Sequence, residues 1–143
     1  MDLSQYTLDL VLHVDIKRPK EAVFEGVLQQ ITDEMRYPDG TSMNHKLEPW
    51  PGGRWYRDLG DNTGHLWGNV QSIKPPTLIE ITGQMFMSYP VSNHLEFKVT
   101  EIDGGARLTL RHRAFGLLDA AHREGVSQGW GQMLTNIQQQ LER

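Results

Sequence analysis

Cysteine is absent from this chain of 143 residues, which excludes disulfides, zinc thiolates, iron–sulfur ligation and a thiol nucleophile together. A basic field is missing as well. Lys and Arg number 14 against 18 Asp and Glu, for a formal net charge of −4, and the cations stand singly, so nucleic acid is excluded as a partner. No stretch approaches the roughly 18 apolar residues of a membrane span. The opening residues, Met1 to Tyr6, carry neither a basic n-region nor an apolar h-region, so no membrane insertion is expected and the cytoplasm is the expected location. The six histidines show no His-x-x-x-His or comparable metal spacing, and no Gly-x-Ser-x-Gly elbow exists. Pro51-Gly52-Gly53 reads as a turn, not a phosphate loop. Asp58, Asp61 and Glu80 do not rise by their spacing above ordinary surface carboxylates. No catalytic residue, metal or cofactor is therefore assigned.

What is present suits a globular domain. Hydrophobic residues make up 38% of the chain and charged residues 22%, too apolar for disorder. The length fits one domain over residues 1–143. Leu8, Leu10, Leu12, Val14 and Ile16 alternate with other residues, which predicts a half-buried strand. Pro19 suits a first helical turn, and Val23, Phe24, Val27, Leu28 and Ile31 recur at helical spacing until Tyr37-Pro38-Asp39-Gly40 breaks the chain. Turn chemistry at 51–53, 60–62, 74–77 and 89–90 divides the next stretch into a meander. Leu95, Phe97 and Val99, then Leu108 and Leu110, alternate around Asp103-Gly104-Gly105 and predict a hairpin. Asp119 is a plausible N-cap, and Val126, Trp130, Met133, Leu134, Ile137 and Leu141 fall on one arc, predicting a long amphipathic helix from Ala120 to Leu141. Strand, helix, meander, helix is an α+β order.

Several motifs stand in a recognisable order: Pro19 through Phe24 after the first strand, Pro51-Gly52-Gly53-Arg54-Trp55, Gly68-Asn69-Val70, and Pro75-Pro76-Thr77-Leu78. Gly104-Gly105-Ala106-Arg107-Leu108-Thr109-Leu110 and Gly129-Trp130 complete the series. By these the chain resembles the START-like (SRPBCC) superfamily, within it the branch named for the activator of the heat-shock protein 90 ATPase. The resemblance implies a helix-grip (START-like, Bet v-like) fold, a curved antiparallel β-sheet wrapped around a long C-terminal α-helix, with a cavity between them. Relatives in that superfamily bind lipids, plant hormones and polyketides, and some are cyclases. The sequence departs from the branch where Gly83 replaces an aromatic, and in its Met85-Phe86-Met87 run.

The residues themselves suggest what such a cavity would hold. If Trp55 and Leu59 face the core, period 2 puts Arg57 on the same face, where it needs an anionic ligand group or a protein carboxylate such as Glu80. His112 aligns with Leu108 and Leu110 and is either a polar group for a ligand or satisfied by a backbone carbonyl. His122 sits at the edge of the apolar arc, either at a cavity mouth or in solvent. Gly125, Gly129 and Gly131 each cost about 1 kcal/mol in a helix, which points either to cavity volume beside Trp130 or to close helix–sheet contact. Met85, Phe86, Met87 and Tyr89 form a soft apolar segment suited to irregular shapes or to core packing. Grouping Leu66, Gly68 and Val70 inward leaves Trp67 outward. The candidate ligand-binding residues are thus Trp55, Arg57, Met85, Met87, His112, His122, Gly129, Trp130 and Met133. The expected function is a binding module enclosing a small hydrophobic molecule. The alternatives are a cyclase or hydrolase using His112 or Arg57, and a protein that contacts a chaperone ATPase; a homodimer stays open.

Overall fold

The computed structural model describes residues 2–85 and 90–143. The alternating apolar residues after Tyr6 form β1 (Thr7–Ile16), and the helical pattern after Pro19 forms α1 (Lys20–Gln30). The meander becomes β2 (His45–Leu47), β3 (Arg54–Gly60), β4 (Thr63–Lys74) and β5 (Leu78–Gly83). The hairpin is β6 (Val91–Ile102) and β7 (Gly105–Gly116), and the last element is α2 (Ala120–Leu141). All seven strands join one antiparallel sheet in the order β1-β7-β6-β5-β4-β3-β2. Register aligns the inward residues across it: Leu12 faces Leu110, Leu110 faces Phe97, and Phe97 faces Ile79.

One face of this sheet, α1 and α2 share the core, as the helix-grip arrangement requires. Val23, Phe24, Val27 and Ile31 are buried from the first helix, and Val126, Trp130, Met133, Leu134 and Ile137 from the last. Asp119 caps α2 by accepting the His122 backbone N–H at 2.7 Å, which satisfies one of the helix's open donors. Side chains then fasten α2 to β1 at both ends. Arg123 donates to the carbonyls of Thr7 and Ser4 at 2.8 and 2.9 Å, and Gln138 donates to that of Asp15 at 2.9 Å. Among the described residues no helix is long and apolar enough to cross a membrane.

Two local slips of register alter the expected facing. The β3–β4 register passes from Trp55↔Gly68 to Tyr56↔Leu66, skipping Trp67. A bulge of this kind turns the extra residue, and Trp67 is buried at 4% exposure while Leu66 stands out at 54%. The expectation of Leu66 inward and Trp67 outward is therefore reversed. A second slip between Asp58 and Gly60 leaves Leu59 unpaired and 56% exposed, so it does not face the core with Trp55.

Candidate ligand groove

The space between sheet and α2 is largely occupied by side chains, and its polar members are bonded to one another. His112, on β7, is fully buried. The Trp130 indole N–H donates to His112 Nδ1 at 3.0 Å, and an indole can only donate. The imidazole proton therefore sits on Nε2 and is donated to Asn93 Oδ1 at 2.7 Å. Asn93 in turn donates its amide to the carbonyls of Gly83 and Gln84 at 3.1 and 3.0 Å. The chain of bonds sets the tautomer and ties α2, β7, β6 and the end of β5 together. Burial lowers the His112 pKa to about 4, with the nearby His122 and His94 adding in the same direction, so the ring is neutral. Two side chains are among its partners, and Asn93 carries the bonding on to backbone carbonyls.

A second cluster closes the far end of the interior. Trp55 is buried and its indole N–H donates to the carbonyl of Ile31 at 2.8 Å. Trp67 packs edge-on to Trp55 and to His45, with ring centroids 5.1 and 4.2 Å apart. His45 is buried, and that desolvation, followed by Arg57 and His65, lowers its pKa to about 4. Alternation does hold from Trp55 to Arg57, whose cross-strand partner is the buried His45. Arg57's guanidinium carbon lies 4.9 Å from the centre of the Tyr37 ring, a cation–π contact. Glu80 is not its partner. That carboxylate accepts from Ser72 at 2.6 Å and from His94 at 2.7 Å, contacts that hold its pKa below the ordinary carboxylate value.

Beside this interior, a groove of about 810 Å³ runs between α2 and the segment that joins α1 to β2. Among the described residues its lining comes from the end of α1, the segment that follows it and α2. Trp55, Trp67, Met85, Phe97 and Trp130 belong to the buried core beside it. Met35, Tyr37 and Met43 line one wall and His122, Gly125, Val126, Gly129, Trp130 and Met133 the other, with Glu34, Arg36, Gln132, Asn136, Gln139, Gln140 and Arg143 adding polar lining. Gln30 also lines it. A Cβ built on Gly125, Gly129 or Gly131 would meet no atom within 4 Å. Close helix–sheet contact is therefore not the reason for these glycines, and the first two leave open volume in the groove.

Of the residues singled out from the sequence, His122, Gly129, Trp130 and Met133 come together in this wall. Trp55, Met85 and His112 are buried in the core, and Arg57 stacks on the groove residue Tyr37. Met87, like Phe86 and Tyr89, lies outside the described residues. Sequence reasoning missed Gln30, Met35, Tyr37 and Met43. For Gln30 a signal existed: it follows Val23 by seven positions and Val27 by three, a polar residue within an apolar helical arc. The loop residues carry no periodicity to reveal them.

The model of the family described as "Activator of Hsp90 ATPase homolog 1-like protein" matches residues 17–142. The chain belongs to this family. No curated protein matches it. Among solved structures, an uncharacterised protein from Rhizobium leguminosarum superposes with a TM-score of 0.71 at 20% identity, over 96% of this chain and 95% of that one. Ara h 8.0201 gives 0.69 at 14% identity, covering 94% and 97%. The di-domain ARO/CYC BexL of the BE-7585A biosynthetic pathway gives 0.68 at 17%, over 97% of this chain and 51% of that one. At these identities the likeness establishes the helix-grip fold that this family member shares with them.

Proposed function

We propose that this member of the Activator of Hsp90 ATPase homolog 1-like family is a binding protein that holds one small, mostly apolar molecule in the groove beside α2. The observation that carries the reading is the groove itself. Its volume of about 810 Å³ falls within the roughly 300–1,000 Å³ of small-molecule sites, which are mostly apolar with few polar groups. His122, Gly129, Trp130 and Met133 then serve as lining. Trp55, Arg57, Met85 and His112 serve as the layer behind, keeping the wall in place. Enclosure is the mechanism. Each buried methylene contributes about 0.8 kcal/mol, so a ligand burying about ten carbons gains near 8 kcal/mol before ordering costs, sufficient for micromolar binding.

A thermal-shift and fluorescence-displacement screen with fatty acids, flavonoids, polyketide-like aromatics and sterols tests the reading. Binding raises the melting temperature with ligand concentration by mass action. Absence of any shift at concentrations near solubility overturns it. The family description favours a second reading, contact with an Hsp90-type ATPase. Recovery of such an ATPase as a stoichiometric partner from native lysate, with no response in the ligand screen, would replace the first reading with the second.

A further inference from the structure

Among the polar residues that line the groove, Gln30 and His122 are buried, and Gln30 stands within an apolar helical arc. It sits at the end of α1 with Val23, Phe24, Val27 and Ile31 buried around the same helix, and is itself only 6% exposed. Its Oε1 is buried without a hydrogen-bond partner, although Gln30 lines the groove. An amide oxygen left unpaired in this way destabilises the free protein, and a leucine or methionine of similar size would not. An amide is also neutral and both donates and accepts, so it pairs with a hydroxyl, a carbonyl or an amide alike.

The facing helix presents the complementary feature. Gly125 and Gly129, one turn apart, expose bare backbone over about 6 Å of helix axis, and a Cβ at either would touch nothing. Both give up helix propensity. A strip without side chains admits a flat body close to the helix, beside the Trp130 ring. Met35, Met43 and Met133 can follow its outline, because thioether side chains are flexible and polarisable.

Resting on the groove-binding reading above, we infer that the ligand is a flat, ring-bearing apolar molecule with one hydrogen-bonding group, and that Gln30 is the residue that reads that group. Shape selection is loose and polar selection is sharp. The Gly125–Gly129 strip is the seat of the ring.

The test titrates the full chain with two fluorescent probes that differ in a single hydroxyl, 9-phenanthrol and phenanthrene. The native protein binds the phenanthrol about three- to tenfold tighter, the worth of one buried neutral hydrogen bond. Gln30→Met removes that preference while phenanthrene binding stays within about twofold, and Gln30→Leu does the same if the methionine variant folds poorly. Gly129→Leu fills the strip and weakens both probes by about tenfold or more. A preference that survives both Gln30 substitutions overturns the role of Gln30, and unchanged binding in Gly129→Leu overturns the strip as the seat. If fatty acids or sterols bind while neither phenanthrene probe does, the groove reading stands and the ring-bearing ligand is overturned. If no compound of any class binds, both fall.

Discussion

At the scale of single residues, the Trp130–His112–Asn93 chain is the most consequential arrangement in the molecule. Each member is buried, and each polar ring atom named above has a partner. Trp130→Phe keeps an aromatic ring against Phe97, with which Trp130 makes an edge contact at 6.3 Å, but deletes the donor to His112 Nδ1. An acceptor left unpaired in the interior costs about 1 to 3 kcal/mol. Trp130→Ala removes the packing as well and should cost about 3 to 5 kcal/mol. Urea denaturation of the two variants checks this: almost no loss in Trp130→Phe would mean that the hydrogen bond contributes nothing beyond ring volume. Arg57 makes a similar point about pairing. Its half-buried cation rests on an aromatic face instead of a carboxylate, because Glu80 is engaged by Ser72 and His94 on the neighbouring strands.

At the scale of elements, glycines in α2 and in β5 should respond oppositely to the same substitution. Gly131 lies mid-helix, outside the groove lining, with open space where a Cβ would go. Gly131→Ala should stabilise the protein by about 0.5 to 1 kcal/mol through helix propensity and reduced freedom of the unfolded chain. Gly83 ends β5, and its added Cβ would collide with the Trp67 carbonyl and lie 2.5 Å from Gly68 Cα. This close approach of the β4 backbone leaves no room for a side chain, which is why glycine stands here instead of an aromatic. Gly83→Ala should therefore destabilise by about 1 to 3 kcal/mol. The denaturation midpoint should rise for the first variant and fall for the second. Midpoints moving in the same direction would show that the open helix face or the close strand contact is misjudged.

At the scale of the whole molecule, two buried histidines tie stability to pH. His45 and His112 are both held near a pKa of about 4, below the ordinary 6.5, chiefly by burial. In the unfolded chain they take up protons near 6.5, whereas in the fold they stay neutral until about 4. Their stabilisation is thus complete above about pH 6.5 and is lost as the pH falls from there toward 4, because the unfolded state then binds more protons. At about 1.4 kcal/mol per unit, each accounts for a loss on the order of 3 kcal/mol by pH 4. The carboxylates of Asp9, Asp15 and Glu80, whose pKa values are lowered, act in the window below. Their stabilisation is present above the unfolded carboxylate range and disappears only on further acidification. Unfolding by urea between about pH 7 and pH 4.5 should show a falling midpoint, and His45→Asn should remove about half of the slope. A flat profile would show that these rings are hydrated in the fold. The same scale explains how the exposed side of β1 is managed. As an edge strand with free carbonyls it would invite pairing with another chain, and α2 covers it by donating from Arg123 to the carbonyl of Thr7 and from Gln138 to that of Asp15.

Much of this architecture is written in periodicity. The alternation of Leu8 through Ile16, the hairpin around Gly104 and the apolar arc from Val126 to Leu141 each record a local choice of backbone and of buried face, and they coincide with β1, β6–β7 and α2. Such signals are legible because they depend only on neighbours a few positions away along one element. Facing at Trp67 and Leu59 was not legible, since a bulge shifts the period by one and arises from the pairing of two strands rather than from either alone. The place of the groove was beyond reach for a related reason. Whether Trp55, Trp67, Met85 and Phe97 line a cavity or fill it is a matter of summed volume in three dimensions. The groove itself opens where the flank of α2 that carries Gly125 and Gly129 meets Met35, Tyr37 and Met43. Composition decided that the chain would be free of thiols and apolar enough to build a core; tertiary packing decided where open space is left, because space not taken by one side chain exists only in relation to all the others.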